Sequence, residues 1–359
     1  MREIHCIMAV WGETYLRQFL ELSLPSQLSA ANLPALAGRY DASYSIYTDS
    51  AGASSIKEHA GFQALSRLMP VRFIVDDAQI SDDKFNPLMA FHNRSIRTAS
   101  ESDAALLFLA PDFVLADGVV ARIAEVHAAG KRAVFTLTPR LKAEDAARDL
   151  AKFHDAASGA LTISPREMAG VVMSHLHPIE RSYTWGPAFS SFPIHAYWPV
   201  GEEGFLARCF YLHPIFVDPM QRGEFPAITI DADFVERACP DMDDVHVVRD
   251  SDELLCVELS RAAAGDANAV GKPWGAKAWP YARWACVHAN PKYDSVLHHW
   301  LFQHEIRIHS GEMKRKWRSR SRKSSRVARM VRFYMMLIRN RKSLADMAAY
   351  WRDTAVSRD

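Results

Sequence analysis

Through its first 140 residues the chain alternates short apolar runs with stretches whose apolar positions recur at helical spacing. The runs are Ile4 to Val10, Tyr44 to Thr48, Val71 to Val75, Ala104 to Leu109 and Ala133 to Leu137. Between them Glu13 to Leu22, Ser54 to Leu68, Pro87 to Ala99 and Val119 to Ala129 read as amphipathic helices, with Gly130 placed for a helix C-cap. This alternation is expected of an α/β fold with a mostly parallel sheet flanked by helices.

Beyond residue 140 the texture changes. Lys142 to His154 and Pro165 to His175 read as helices, and a region rich in aromatics and prolines runs on to about Pro226. Phe205 to Leu212 and Val245 to Leu259 have strand character, the second interrupted by Asp250, Asp252 and Glu253. This half is expected to pack on the first sheet as an acceptor-side region. The expected organisation is a body over 1–260, divided into a nucleotide-binding part, 1–140, and an acceptor-side part, 141–260, followed by a C-terminal extension over 261–359. Val327 to Asn340 offers Val327, Met330, Val331, Tyr334, Met335 and Ile338 for one apolar helix face.

An apolar fraction of 49% with 24% charged residues, in 359 residues, excludes disorder as the general state. The five cysteines are odd in number and contain no Cys-x-x-Cys pair, so they read as reduced, buried thiols. No apolar run approaches the ~18 residues a spanning helix needs, and Glu13 and Arg17 interrupt the apolar opening too early for a secretory signal. A cytoplasmic protein is expected.

The net charge of +1 conceals an asymmetry. Residues 313–342 hold 13 Lys or Arg and no acid, which leaves about −11 on residues 1–312. A basic block continued by an apolar and basic helix suits an anionic membrane surface, with the phosphates of nucleic acid or the chain's own acidic body as alternatives.

Ligands of open α/β sheets bind beyond the carboxyl ends of the strands. Those ends are Trp11-Gly12, Thr48-Asp49, Asp76-Asp77, Ala110-Pro-Asp112 and Thr138-Pro-Arg140. The fourth, in Asp103-Ala-Ala-Leu-Leu-Phe-Leu-Ala-Pro-Asp112-Phe-Val-Leu-Ala-Asp117-Gly118, resembles the strand, acidic turn and glycine of the GT-A glycosyltransferases. In that family an Asp-x-Asp at this turn holds a divalent cation on the donor diphosphate, because hard carboxylate oxygens suit Mg²⁺ or Mn²⁺. Here Ala110 replaces the first acid and Asp112 alone matches. The resemblance covers about residues 3–140 and implies a GT-A-like fold that transfers a sugar from a nucleotide-sugar donor. A glycan or lipid-linked acceptor on the inner face of the membrane would complete the reaction.

The same correspondence places Trp11, Thr48 and Asp49 near the nucleoside and Arg94 within reach of a phosphate. Trp11 could equally pack under the first helix, and Asp49 could cap the next one. His177 and His213, each in a His-Pro pair, are candidates to join the cation, since neutral imidazole suits Mn²⁺; His175 is a weaker one. Asp231 and Asp233 form an Asp-x-Asp of their own. They could bind metal, cap a helix, or deprotonate the acceptor hydroxyl. Lys272-Pro273-Trp274 resembles the donor-site closure of one retaining branch, with Lys272 on the diphosphate. Two rival functions stay open: a phosphoesterase built on the His and Asp residues, and a non-catalytic nucleotide- or sugar-binding protein.

Overall fold

The computed structural model describes residues 3–80, 85–186, 190, 193–219, 230–263, 277–288, 295–312 and 315–340. Its strands are β1 (Glu3–Ala9), β2 (Asp41–Thr48), β3 (Val71–Val75), β4 (Ala105–Leu109), β5 (Phe113–Leu115), β6 (Ala133–Thr136) and β7 (Arg140–Lys142). They are followed by β8 (His195–Pro199), β9 (Gly204–Cys209), β10 (His213–Val217), β11 (Val245–Val247), β12 (Cys256–Ser260) and β13 (Ile306–His309).

Seven strands form the main sheet in the order β11-β6-β10-β4-β1-β2-β3. β1 runs parallel to β2 and β4, with Cys6 opposite both Tyr44 and Leu107. β2 pairs with β3 and β11 with β6, also in parallel. β10 alone reverses direction, lying antiparallel between β4 and β6. β4 is buried along its whole length, as its unbroken apolar run requires when helices cover both faces. The fold is therefore mixed α/β with a large, mostly parallel sheet flanked by helices.

Local chemistry sets several boundaries. The helix Val119–Ala128 ends in a Schellman turn: Gly130 takes φ 93°, its N–H donates to His127 O, and that of Lys131 to Val126 O. The helix expected over Ser54 to Leu68 is two, Ser50–Glu58 and Ala60–Leu68. Extended His59 separates them, its Nδ1 accepting the Gly61 N–H at 3.1 Å. The strand expected over Val245 to Leu259 divides around its acids, β11 entering the main sheet and β12 joining β5 and β7 in a three-stranded sheet. The later half does not simply cover the first sheet: β10 and β11 are part of it.

β13, β9 and β8 make a third sheet, and the C-terminal helix docks beside it. That helix runs Arg315–Asn340, so the basic block is itself helical. Trp317, Ser324, Val327, Ala328, Val331 and Met335 are buried on the side facing β9, β8 and the helix Ala278–His288. The buried Arg208 of β9 ties it down, with Nε 3.2 Å from Ser324 Oγ and Nη2 3.2 Å from Ser325 Oγ. Much of the apolar face expected to enter a membrane is thus spent on the body. Arg318, Arg322, Lys323, Arg326 and Arg332 remain exposed. Among the described residues no helix is long and apolar enough to cross a membrane.

Candidate functional site

Beyond the carboxyl ends of β1, β4 and β6 lies a cavity of about 460 Å³, within the ~300–1,000 Å³ usual for small-molecule sites. β1 supplies Ala9 and, just after it, Trp11; the turn after β4 supplies Ala110, Pro111 and Asp112; the segment after β6 supplies Thr138 and Arg140. Reversed β10 brings His213 to the same end of the sheet, and Asp231 enters from the turn Ile230–Phe234. The later region contributes Glu180, Tyr183, His195 and Glu258.

One wall is apolar. Trp11 stands edge-on to Phe91 with ring centroids 5.8 Å apart, so it both packs under the helix Phe85–Ser102 and lines the cavity. Tyr15, Leu88 and the exposed ring of Phe85 extend this wall.

The charges are unbalanced. Among the described residues, Asp112, Glu180, Asp231 and Glu258 line the cavity with a single cationic side chain, Arg140, whose Nε lies 2.8 Å from Glu258 Oε1. The lining histidines do not offset this. Burial pushes His92 down to about 4 and His195 down to about 3, helped by His213 in the first case and Arg140 in the second. Burial also lowers His213, whose Nε2 meets Phe108 O at 3.3 Å. All three are neutral imidazoles at pH 7. His195 Nδ1 is buried without an aligned hydrogen-bond partner.

Glu180 is 6% exposed, and burial pushes its carboxyl up to about 7 against the opposing pull of the Tyr197 hydroxyl and the Arg140 guanidinium. A folded pKa above the unfolded value of 4.5 means that the native state holds the extra proton between them. Stability is therefore lost as pH rises from about 4.5 to 7, by ~3 kcal/mol at 1.36 kcal/mol per unit. Glu180→Gln is expected to remove that loss, so urea unfolding at pH 5 and pH 8 should show a smaller stability difference in the variant than in the parent.

The other candidates fall elsewhere. Asp49 is the N-cap of Ser50–Glu58, accepting the Gly52 N–H at 2.6 Å, and does not line the cavity. Thr48 is fully buried beneath that turn, and a Cβ on Gly52 would come 2.3 Å from its Oγ1. Arg94 is exposed on the helix Phe85–Ser102, away from the cavity lining. His177 is fully buried and uses both ring nitrogens locally, Nδ1 on the Ile179 N–H and Nε2 on Arg261 O. His175 pairs with Asp149 at 2.5 Å. Asp117 accepts hydrogen bonds from Ser29 Oγ and the Ala31 N–H, a structural role beside Gly118. Lys272 and the side chain of Asp233 lie outside the described residues. Asp231 is not the cap of the following helix Val235–Ala238, whose N-cap is Phe234.

Among the described residues one group of three side chains could share a cation: Asp250, Asp252 and His309, with ligand atoms within 4.8 Å of one another. None of them lines the cavity. Arg166 already holds Asp252, with Nη2 2.8 Å from Oδ2, so a cation there would compete with a guanidinium.

Glu180, His195 and Glu258 were absent from the sequence expectations. The available signal was an ionisable residue inside an apolar strand, as in Cys256-Val-Glu-Leu-Ser260 and His195-Ala-Tyr-Trp198. Glu180 has no such signal, since a short helix beginning Pro178-Ile-Glu-Arg looks like a solvated turn.

No protein-family model matches the chain, and no curated protein matches it. Among solved structures it is similar to TarS of S. aureus, at 14% identity and a TM-score of 0.24, over 39% of this chain and 22% of that one. A putative glucose-1-phosphate thymidylyltransferase from Bacillus anthracis aligns at 10% identity and a TM-score of 0.25, over 38% and 55%. Mouse xyloside xylosyltransferase 1 aligns at 15% identity and 0.23, over 38% and 52%. The chain spans between about a fifth and about half of these proteins. Likeness at this level carries no argument about activity, which has to come from the cavity.

Proposed function

We propose that the protein is a GT-A-like glycosyltransferase that binds a nucleotide-sugar donor in the cavity and transfers its sugar to a glycan or lipid-linked acceptor. The observation that supports this most is the meeting of Trp11 and Asp112 at one cavity beyond the carboxyl ends of the sheet. An aromatic face beside an acidic turn suits a base or ribose next to a diphosphate.

The charge balance adds a condition. A nucleoside diphosphate is an anion, and the cavity already carries more carboxylates than cations, so binding calls for a divalent cation between them. Asp112 would supply a hard oxygen for Mn²⁺ or Mg²⁺; Asp231 and His213 line the same cavity but do not form with it a group close enough to share one ion, so the diphosphate would supply further ligands. The bound cation would offset charge on the departing nucleotide. Trp11 would orient the nucleoside, and the apolar wall of Trp11, Tyr15 and Leu88 would pack against it.

The phosphoesterase reading needs several of His177, His213, Asp231 and Asp233 around one metal; His177 is engaged elsewhere, and among the described residues no group of three that could share a cation includes His213 or Asp231. The non-catalytic reading is weakened by a cavity that its own side chains leave open. The test is thermal unfolding with UDP, GDP and CMP and their sugars, with and without Mn²⁺, since a ligand of the folded state raises the midpoint. A midpoint raised by one nucleotide only when Mn²⁺ is present is the expected result. No shift with any of them would sink the reading.

The C-terminal helix adds a location. With much of its apolar face docked on the body, it would hold an anionic membrane by charge and without deep insertion, each exposed base contributing ~1 kcal/mol. Sedimentation with phosphatidylserine vesicles should therefore be strong in 50 mM salt and largely lost near 500 mM, about where screening removes such attraction. Binding that survives high salt would point to insertion instead.

A further inference from the structure

The cavity lining holds further polar groups beside the acidic turn, brought in by β7, β8, β12, which pairs with β5, and the short helix Pro178–Arg181. Glu180 sits in the short helix Pro178–Arg181, and its Oε2 takes a hydrogen bond from the hydroxyl of Tyr197 on β8. Arg140 on β7 and Glu258 on β12 form the ion pair beside it, the two strands pairing in parallel with Glu258 opposite Arg140. His195, also on β8, lines the cavity, its Nδ1 buried without an aligned hydrogen bond.

A structural acid could be buried this way, but it would gain little by facing a cavity. Three features argue for chemistry. Glu180 and Glu258 both line the space that the donor would enter. Arg140 approaches Glu258 from the neighbouring strand, so this part of the lining presents fixed acceptors and a fixed donor of hydrogen bonds. Asp231, the residue the sequence suggests for proton removal, faces His92 and His213 among the groups that would meet a cation and the diphosphate.

Building on the transferase reading, we propose that Glu180 is the base that removes the proton of the acceptor hydroxyl, while Arg140 and Glu258 hold flanking hydroxyls of an uncharged, polyhydroxylated acceptor. In the step, the acceptor oxygen forms a bond to the anomeric carbon of the donor. The bond from that carbon to the phosphate oxygen breaks, and its electron pair leaves with the nucleoside diphosphate. The acceptor proton passes to the Glu180 carboxylate and from there to solvent. An acidic acceptor would be repelled by the surplus of carboxylates.

The environment suits the role. Burial brings the carboxyl up to about 7, close to the pH where a base works best. The groups facing it are the Tyr197 hydroxyl, the Arg140 guanidinium and backbone amide, the Glu258 carboxylate and the neutral Cys209 thiol. Tyr197 and Arg140 favour its charged form and Glu258 opposes it.

The test uses the full chain with UDP-glucose, UDP-N-acetylglucosamine and GDP-mannose in Mn²⁺, with water as the acceptor and release of the nucleoside diphosphate as the readout from pH 5.5 to 9. For the parent, kcat should rise through a limb near pH 7. Glu180→Gln should lose that limb and fall ~100-fold or more at pH 8, with the nucleotide's effect on the thermal midpoint unchanged. Tyr197→Phe removes a hydrogen bond that favours the carboxylate, so its limb should move to higher pH, which a merely structural role would not produce. Nucleotide binding with an unchanged limb in Glu180→Gln, or with no release by the parent at any pH, overturns this assignment alone. A chain that binds none of the nucleotides overturns the transferase reading together with it.

Discussion

Replacing Arg208 with methionine is expected to lower the free energy of unfolding by ~3–5 kcal/mol, the cost of removing one partner of a buried ion pair. Arg208 is 4% exposed and Glu305 7%, with Nη2 and Oε2 3.6 Å apart. The guanidinium also donates to Gln303 O and to the hydroxyls of Ser324 and Ser325 in the C-terminal helix. Burial draws its pKa down to about 10 while Glu305 resists. Methionine fills similar volume but leaves Glu305 with Ser324 and with Arg307, whose Nε lies 3.7 Å away on a side chain 36% exposed, where solvent screens the attraction. The urea midpoint at constant slope measures the effect. Adding Glu305→Gln should recover much of the loss, because the stranded charge accounts for most of it. A single variant as stable as the parent would mean that the helix is held by its apolar face alone.

On the transferase reading, replacing Asp112 with alanine is expected to reduce sugar transfer by ~100–1,000-fold, because the cation it would help hold would be worth several kcal/mol in the transition state and each 1.4 kcal/mol is tenfold. The cation-dependent rise in thermal midpoint with nucleotide should disappear in the same variant. The backbone of the turn should persist in the variant, since the carbonyl of residue 112 accepts the Leu259 N–H at 2.8 Å. A variant that keeps its nucleotide response would remove Asp112 from the site. One that loses stability broadly would make the residue structural.

The main sheet was legible because parallel strands under two helical layers are continuous apolar runs. Val71–Val75 appears as expected, and the other four expected strands differ only at their ends. Strand order was not legible, since nothing in Leu212 to Val217 announces insertion between β4 and β6. Asp112 and Trp11 could be found because sheet topology alone puts strand ends at the ligand. Glu258 and His195 lie on strands and Glu180 on a short helix, and only tertiary folding gathers the three at one cavity. His177 shows the opposite error: a histidine before proline resembles a ligand in sequence, yet it caps a short helix. The basic tail was read for its charge, and its docking depends on Arg208, more than a hundred residues away.

The antiparallel insertion of β10 also governs how the chain must be made. During synthesis β4 and β6 emerge well before β10, and the two strands that flank it have no partner on their facing edges until residues 213–217 arrive. Until then the nascent chain presents two apolar sheet edges, the kind of surface that recruits foreign strands. The chain is thus least protected in the interval after β6 has emerged and before residues 213–217 close the gap between β4 and β6.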